Sequence, residues 1–509
     1  MTSQGTAQTN PNDTIIPFHF WDDVPYTRGI CLNVTLRFEE VLDTAKLQRS
    51  IERLLETGDW RKLGARLHQN VKINIHPDSQ VPLLIHHQEA GKLEYHLPSK
   101  FTNNRPGIIF TTANQPNPIS SHPLASQIPS TQETSQISVL GCMSSFNSIT
   151  KHDDAPNKIE DYLSSDIPQL FIHIVTFTDT TLITVTFPHT LFDAMGLSYF
   201  LQAWTAILSD QEDRIPAFLG FDGDIVEAKT EYVPAEQHVL ARKTFTRFQL
   251  AVLVLSRWWE NYRYPDVLDK VITIPGTHVQ RMRERALQEL RAQSSQSSRS
   301  LSEDIFVSEG DILLAWLSKT LINALNPSPQ TPVQISNVFD TRAVLNISQA
   351  GAYTGNATIP SCTTFTAQSL QQSPTSNTAL HLRNALNEQR IPSQVHAMSS
   401  LRKKTLRETG FLPIVGVPHQ ISITCTNWHR ARFFDLDFSS ARVDRACIGA
   451  CRPSYINTAG PTPLGPHVAR NLVTVTGRDG VGNWWVQILA RAGAWERIEE
   501  AVRGLEVDV

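Results

Sequence analysis

The chain is poor in cysteine, carries no excess of one charge and has no long apolar run. Its six cysteines in 509 residues (Cys31, Cys142, Cys362, Cys425, Cys447 and Cys451) are too few for the disulfide framework of a small secreted scaffold, so reduced thiols and a cytoplasmic location are expected. Cys447 and Cys451 have the spacing of two ligands on one helix. No second ligand pair stands near them, so both are expected as buried thiols and no metal is assigned. Lysine plus arginine (45) and aspartate plus glutamate (49) nearly balance, for a net charge of −4. No basic stripe is left for a nucleic-acid backbone, which argues against a nucleic-acid partner. No purely apolar run is longer than that at residues 250–255, far below the about 20 residues that span a bilayer, so no transmembrane segment is expected. A core helix is the first expectation for that run and a peripheral membrane contact the second. Residues 1–17 are polar, so no secretory signal is expected. There is no fixed-period repeat.

What is present is a long chain with mixed periodicity. A length of 509 residues exceeds what one core normally organises, so two domains are expected. Residues 30–38 alternate as a strand, and residues 44–57 place Leu47, Ile51, Leu54 and Leu55 on one helical face. Short strands are expected at 71–75 and 81–86. Residues 113–138 are rich in Ser, Pro, Gln, Asn and Thr and read as a long surface insertion. A β-branched hairpin follows, with strands at 169–177 and 182–187. The next helix carries Leu197, Phe200, Leu201, Trp204, Ile207 and Leu208 on one stripe. Residues 209–265 have few clean periods and read as a crossover. A second series of strands and helices starts near 271. In it, a helix over 308–324 is expected to be capped by Ser308 with Asp311 as the acidic partner. A final strand (483–489) and helix (about 493–503) close the chain. The expected organisation is an N-terminal half (1–215), a linker (216–264) and a C-terminal half (265–509). Strands and helices mix without strict alternation, so the class is α/β or α+β.

The chemistry concentrates at Pro188-His189-Thr190-Leu191-Phe192-Asp193-Ala194-Met195-Gly196. A histidine leaves a strand directly, an aspartate follows four residues on, and a helix then begins. Imidazole is the natural base for taking a proton from an alcohol near neutral pH. A strand terminus can hold it within reach of an acceptor better than a loose loop can. Three other readings compete for His189. It can be an ordinary half-buried histidine. His189 and Asp193 can be two metal ligands, although only one of each type is supplied. Asp193 can orient the imidazole as in a serine triad, but no Gly-x-Ser-x-Gly elbow accompanies it.

Further segments follow in order: Asp340-Thr341-Arg342, then Tyr353-Thr354-Gly355-Asn356, then Thr426-Asn427-Trp428, then Asp437-Phe438. With them the chain resembles the BAHD superfamily of plant and fungal acyl-CoA-dependent acyltransferases, most of all its fungal secondary-metabolite branch. The resemblance runs from about residue 17 to about residue 505. His189, Asp193 and Gly196 match the family's His-x-x-x-Asp with its nearby glycine. Asp340, Arg342, Tyr353, Gly355 and Asn356 match its Asp-x-Arg strand and Tyr-x-Gly-Asn turn. Thr426, Trp428, Asp437 and Phe438 match its Thr-x-Trp and following Asp-Phe. Where the family has Asp-Phe-Gly-Trp-Gly, this chain reads Asp437-Phe438-Ser439-Ser440-Ala441.

The resemblance implies two chloramphenicol-acetyltransferase-like domains with mixed sheets and a tunnel between them. Acyl-CoA is then a co-substrate and no cofactor is permanently bound. The acceptor is the hydroxyl, or the amine, of a small molecule of secondary metabolism, and the protein is a monomer. The resemblance makes His189 the general base and gives Trp428 and Thr426 the oxyanion. It leaves Asp193, Arg342, Asp437, Gly196 and Asn356 structural roles at the site. Arg342 is the candidate partner of Asp193, with Asp437 as a rival claim on it. Two other functions share the scaffold. One is a carrier-protein-dependent transferase of the condensation type, which usually shows paired histidines where this chain has Pro188 before His189. The other is a catalytically silent homologue that binds a metabolite or regulates a partner.

Overall fold

The computed structural model describes residues 10–70, 91–131, 137–296, 305–459 and 470–505. The strands expected at 71–75 and 81–86 lie outside these residues. Two large mixed sheets organise the rest. The first runs in the order Tyr455–Ala459, Cys31–Phe38, Thr181–Pro188, Phe171–Thr176, Ile109–Asn114. Its pairs are antiparallel except the last, which is parallel. Thr181–Pro188 is buried along its whole length, and its Thr, Ile and Val side chains suit a strand packed on both faces. Cys31 pairs with Pro188, so the next residue, His189, stands just past the end of the sheet. Its backbone N–H donates to the Ile30 carbonyl at 2.8 Å.

The helix Ala194–Leu208 follows. Leu197, Phe200, Leu201, Trp204, Ile207 and Leu208 are buried along it, and they join the core cluster beneath the first sheet. The spacing that predicts this stripe is therefore the spacing that packs. Across the chain, Glu309–Leu325 is capped by Ser308 with Asp311 returning the bond, as the sequence pattern predicts. Arg383 also reaches Asp311. This helix packs on the second sheet, whose order is Thr358–Thr366, Pro332–Asp340, Ile421–Asn427, Leu472–Arg478, Trp484–Arg491, Val267–Ile274, Ser138–Cys142.

The halves exchange strands. Ser138–Cys142 comes from the first 215 residues yet pairs with Val267–Ile274 of the second sheet. Tyr455–Ala459 comes from the last third of the chain yet closes the first sheet against Cys31–Phe38. Within the expected linker, Phe218–Leu219 pairs with Ala352–Tyr353. Cuts at 215 and 265 therefore do not separate the two sheets.

Three further expectations differ from the structure. The polar stretch 113–138 is not a loose insertion over its described part, 113–131 and 137–138. Ile119, Ala125 and Ile128 are buried, Asp179 accepts from the Ile119 N–H at 2.9 Å, and Arg37 holds the Ile128 carbonyl. Three buried apolar side chains outweigh the polar composition. The run 250–255 is not a core helix. It sits in the helix Arg247–Arg263, where only Leu250 is buried. Cys451 is buried, but Cys447 is exposed.

The altered Asp437–Ala441 segment lies in the seam between the chain's halves. Phe438 is fully buried, with ring centroids 5.0 Å from Phe38 and 5.4 Å from Trp204. Phe438→Ala should lower stability by about 3–5 kcal/mol through the lost contacts and the cavity left behind. Urea unfolding of the two proteins checks this, and an unchanged midpoint would contradict the packing role.

Candidate active site

The centre of the site is an arginine with no exposure to solvent. Arg342 follows the strand Pro332–Asp340 and is wholly buried. Its guanidinium donates to both carboxylate oxygens of Asp193, at 3.0 and 2.8 Å. It also donates to Asp340 at 2.7 Å and to the carbonyls of Tyr353 (3.1 Å) and Gly355 (2.6 Å). Burial works against the guanidinium charge, but Asp193 and Asp340 outweigh it and lift the Arg342 pKa above the ordinary arginine value. A buried arginine is tolerated only when its fork is filled in this way. Asp437 is not its partner. It accepts instead from the Ser439 and Cys451 backbone N–H groups.

Asp193 does more than neutralise Arg342. It caps the helix Ala194–Leu208 by accepting from the Gly196 N–H at 2.8 Å, and it accepts from the Ala357 N–H at 3.0 Å. One carboxylate thus ties the loop after His189 to the turn 353–357. The tie is tight: a Cβ on Gly196 would stand 1.8 Å from the Thr354 carbonyl oxygen, so only glycine fits there.

A second carboxylate, which no motif in the sequence marks, holds the turn from the other side. Asp22 is buried and accepts from both the backbone N–H (2.6 Å) and the side-chain amide (2.9 Å) of Asn356. The same Asn356 amide donates to the His189 carbonyl at 2.8 Å. Asn356 is therefore a spacer of fixed length between Asp22 and the backbone of His189. Burial pushes the Asp22 carboxyl up to about 7, against the Asn356 bonds and the nearby Lys62. Burial also pulls Lys62 down to about 8. Asp22 and Lys62 line a small cavity with His19, Tyr95 and Tyr353 and with the apolar Leu63, Leu191 and Phe218. The only signal in the sequence is an acidic pair, Asp22-Asp23, set directly after the aromatic Phe18-His19-Phe20-Trp21.

His189 itself is partly exposed. Its Nδ1 is buried and has no hydrogen-bond partner. Tyr26 meets the ring edge-on, with centroids 5.5 Å apart. Burial lowers the His189 pKa, and the charge of Asp193 opposes this only in part. The imidazole is thus neutral at neutral pH, as a base must be.

Thr426 and Trp428 come from the other sheet. Thr426 lies on Ile421–Asn427 between Val338 and Thr474. The Trp428 indole N–H donates to the Thr426 hydroxyl at 2.9 Å. The indole's single donor is therefore engaged, and the Thr426 O–H is the donor left to the pair. The segment after Trp428 is fastened to the histidine helix, because Ser198 donates to the Ala431 carbonyl at 2.6 Å. Among the described residues there is no cluster of three metal-ligating side chains.

The fold and the site match known proteins. Residues 139–444 match the family model described as Transferase family. The chain is 36% identical to the acetyltransferase adrJ of Penicillium rubens, covering 98% of this chain and 97% of that one. It is 33% identical to the O-acyltransferase pboC of Aspergillus ustus, over 92% and 94%. In structure it resembles TRI101 of F. sporotrichioides, solved with coenzyme A and T-2, with a TM-score of 0.61, 14% identity and coverage of 96% and 97%. Two mixed sheets with a histidine at the end of a central strand thus give the two-domain fold of the chloramphenicol-acetyltransferase type. The chain belongs to the Transferase family of BAHD-type acyltransferases.

Removing one side of a buried ion pair costs about 3–5 kcal/mol. Asp193→Ala also uncaps a helix and frees the turn at Ala357. It should therefore lower both the melting temperature and the turnover rate. An unshifted melting curve would contradict the role given to this carboxylate.

Proposed function

We propose that the protein moves an acyl group from acyl-CoA to the hydroxyl, or the amine, of a small secondary metabolite, with His189 as general base. The observation that carries this reading is the state of His189. It is an imidazole at the end of a central strand, fixed through its own backbone at both N–H and carbonyl and kept neutral by burial. The family supplies acyl transfer as the reaction class.

The chemistry follows from the groups present. Nε2 takes the proton of the acceptor hydroxyl as that oxygen attacks the thioester carbonyl. Concerted removal avoids a free alkoxide, which is inaccessible at neutral pH. Negative charge then develops on the carbonyl oxygen. We assign its donor to the Thr426 hydroxyl. The Trp428 indole donates to that hydroxyl, which leaves its proton available for the oxyanion. Trp428 is then a positioning residue. The intermediate collapses by expelling the CoA thiolate, which receives the proton held on His189. Thiolate is a good leaving group, so no covalent enzyme intermediate is required. In this reading the two substrates reach His189 from opposite ends of a tunnel between the sheets. The protein works as a monomer, its halves 1–215 and 265–509 joined by a linker and by the strands they exchange.

Three outcomes test the proposal. His189→Ala should lose most turnover with acetyl-CoA, with donor binding by calorimetry nearly unchanged; near-normal rates would reject the base. Thr426→Val should lower kcat by about 100-fold or more if its hydroxyl stabilises the oxyanion, and an unchanged kcat would remove that role. The lowered His189 pKa fixes the sign of the pH profile. The base stays neutral to lower pH than an ordinary histidine, so the acid limb of kcat/KM should fall below pH 6.5. A limb above that value would contradict the burial argument.

A further inference from the structure

The helix Arg247–Arg263 is amphipathic the wrong way round for a soluble surface. Its inner side is held largely by polar contacts. Arg257 bonds Glu260 and Ser422, and Glu260 is also paired with Arg470. The Arg247 guanidinium donates to the Glu408 carbonyl at 2.6 Å, and Leu250 is the one buried residue of the helix. The large apolar side chains point outward: Phe248 is 77% exposed, Leu255 66%, Trp258 64% and Tyr262 72%. Val254 and Trp259 are exposed beside them. At 3.6 residues per turn these positions fall within an arc of about 140°, in a stripe about 21 Å long. A surface helix normally turns such a stripe to the core. A contiguous exposed apolar patch of this kind marks an interaction surface.

The charges around the stripe say what kind of surface it meets. Arg242 and Lys243 precede the helix and are exposed, as are Arg247 in its first turn and Arg263 in its last. None of the four has a carboxylate partner among the described residues. Glu260, the sole acid on the helix, is consumed by Arg257 and Arg470. Exposed acids nearby are Asp266 and Glu408. Cations at both ends of the stripe need a continuous plane of anions, and the tryptophans and tyrosine between them prefer the boundary of water and hydrocarbon. We propose that Arg247–Arg263 lies flat in the headgroup layer of an anionic lipid membrane, with Phe248, Leu255, Trp258 and Tyr262 inserted and Arg242, Lys243 and Arg263 on the lipid anions. No described helix is long and apolar enough to cross a membrane, so the contact is peripheral.

Co-sedimentation of the full-length protein with vesicles tests this. Wild type should pellet with phosphatidylcholine vesicles containing phosphatidylserine, pellet far less with phosphatidylcholine alone, and be released by salt. Leu255→Gln combined with Trp258→Gln should weaken binding by about tenfold or more. Arg242→Glu combined with Lys243→Glu should abolish the preference for the anionic vesicles. All four side chains are exposed, so the melting temperature should hold in both variants. Wild type that stays in the supernatant with anionic vesicles would overturn the proposal. So would a wild-type dimer that Leu255→Gln and Trp258→Gln dissolve in the absence of lipid, since the stripe would then belong to a second copy.

Discussion

The site depends on the ion pair between Asp193 and Arg342. A guanidinium with no access to water is stable only if its donors are filled, and here two carboxylates and two carbonyls fill them. This one requirement fixes three pieces of chain that are far apart in sequence. The loop after His189 supplies Asp193, the strand end supplies Asp340 and Arg342, and the turn supplies the carbonyls of Tyr353 and Gly355. Glycine at 196 lets the first turn of the helix close onto that turn. His189, the proposed base, stands at the edge of the knot and takes its position from it through backbone bonds.

Asp22 completes the arrangement from the opposite side. It grips Asn356, and Asn356 grips the His189 carbonyl. The histidine is thus held at N–H by one strand neighbour and at C=O by a relay that ends on the N-terminal segment. This explains why a turn of the bland composition Gly355-Asn356 matters to the chemistry. It also explains how a single ring is kept in place between the chain's halves: Asp22 and Asp193 from the first half and Arg342 from the second meet at the same turn.

Local structure was largely legible in the sequence. The strand near 31–38, the helix from 44, the hairpin ending at Pro188 and the Ser308 cap follow from short-range periodicity and turn chemistry. The family was legible from the order of its motifs. Long-range pairings were not. Asp22 and Asn356 lie 334 residues apart, and nothing local marks either as the partner of the other. Spacing could not choose between Asp193 and Asp437 for Arg342; only the burial of that side chain against the helix cap does. The run 250–255 was misread because six apolar residues fit a core helix and an outward stripe equally well. The stretch 113–138 was misread because composition does not show that Ile119 and Ile128 have a surface to sink into. The engaged indole of Trp428 could not be foreseen either, since it is a matter of rotamer rather than sequence.

The central claim is that Asp193 and Arg342 act as one unit that sets the position of His189. A double-mutant cycle on Asp193→Ala and Arg342→Met, read in both unfolding free energy and kcat, tests it most directly. The account predicts strong non-additivity, with the double variant little worse than either single one, because the first substitution already undoes the knot. Additive losses in both quantities would show that the two residues act independently, and would contradict the account.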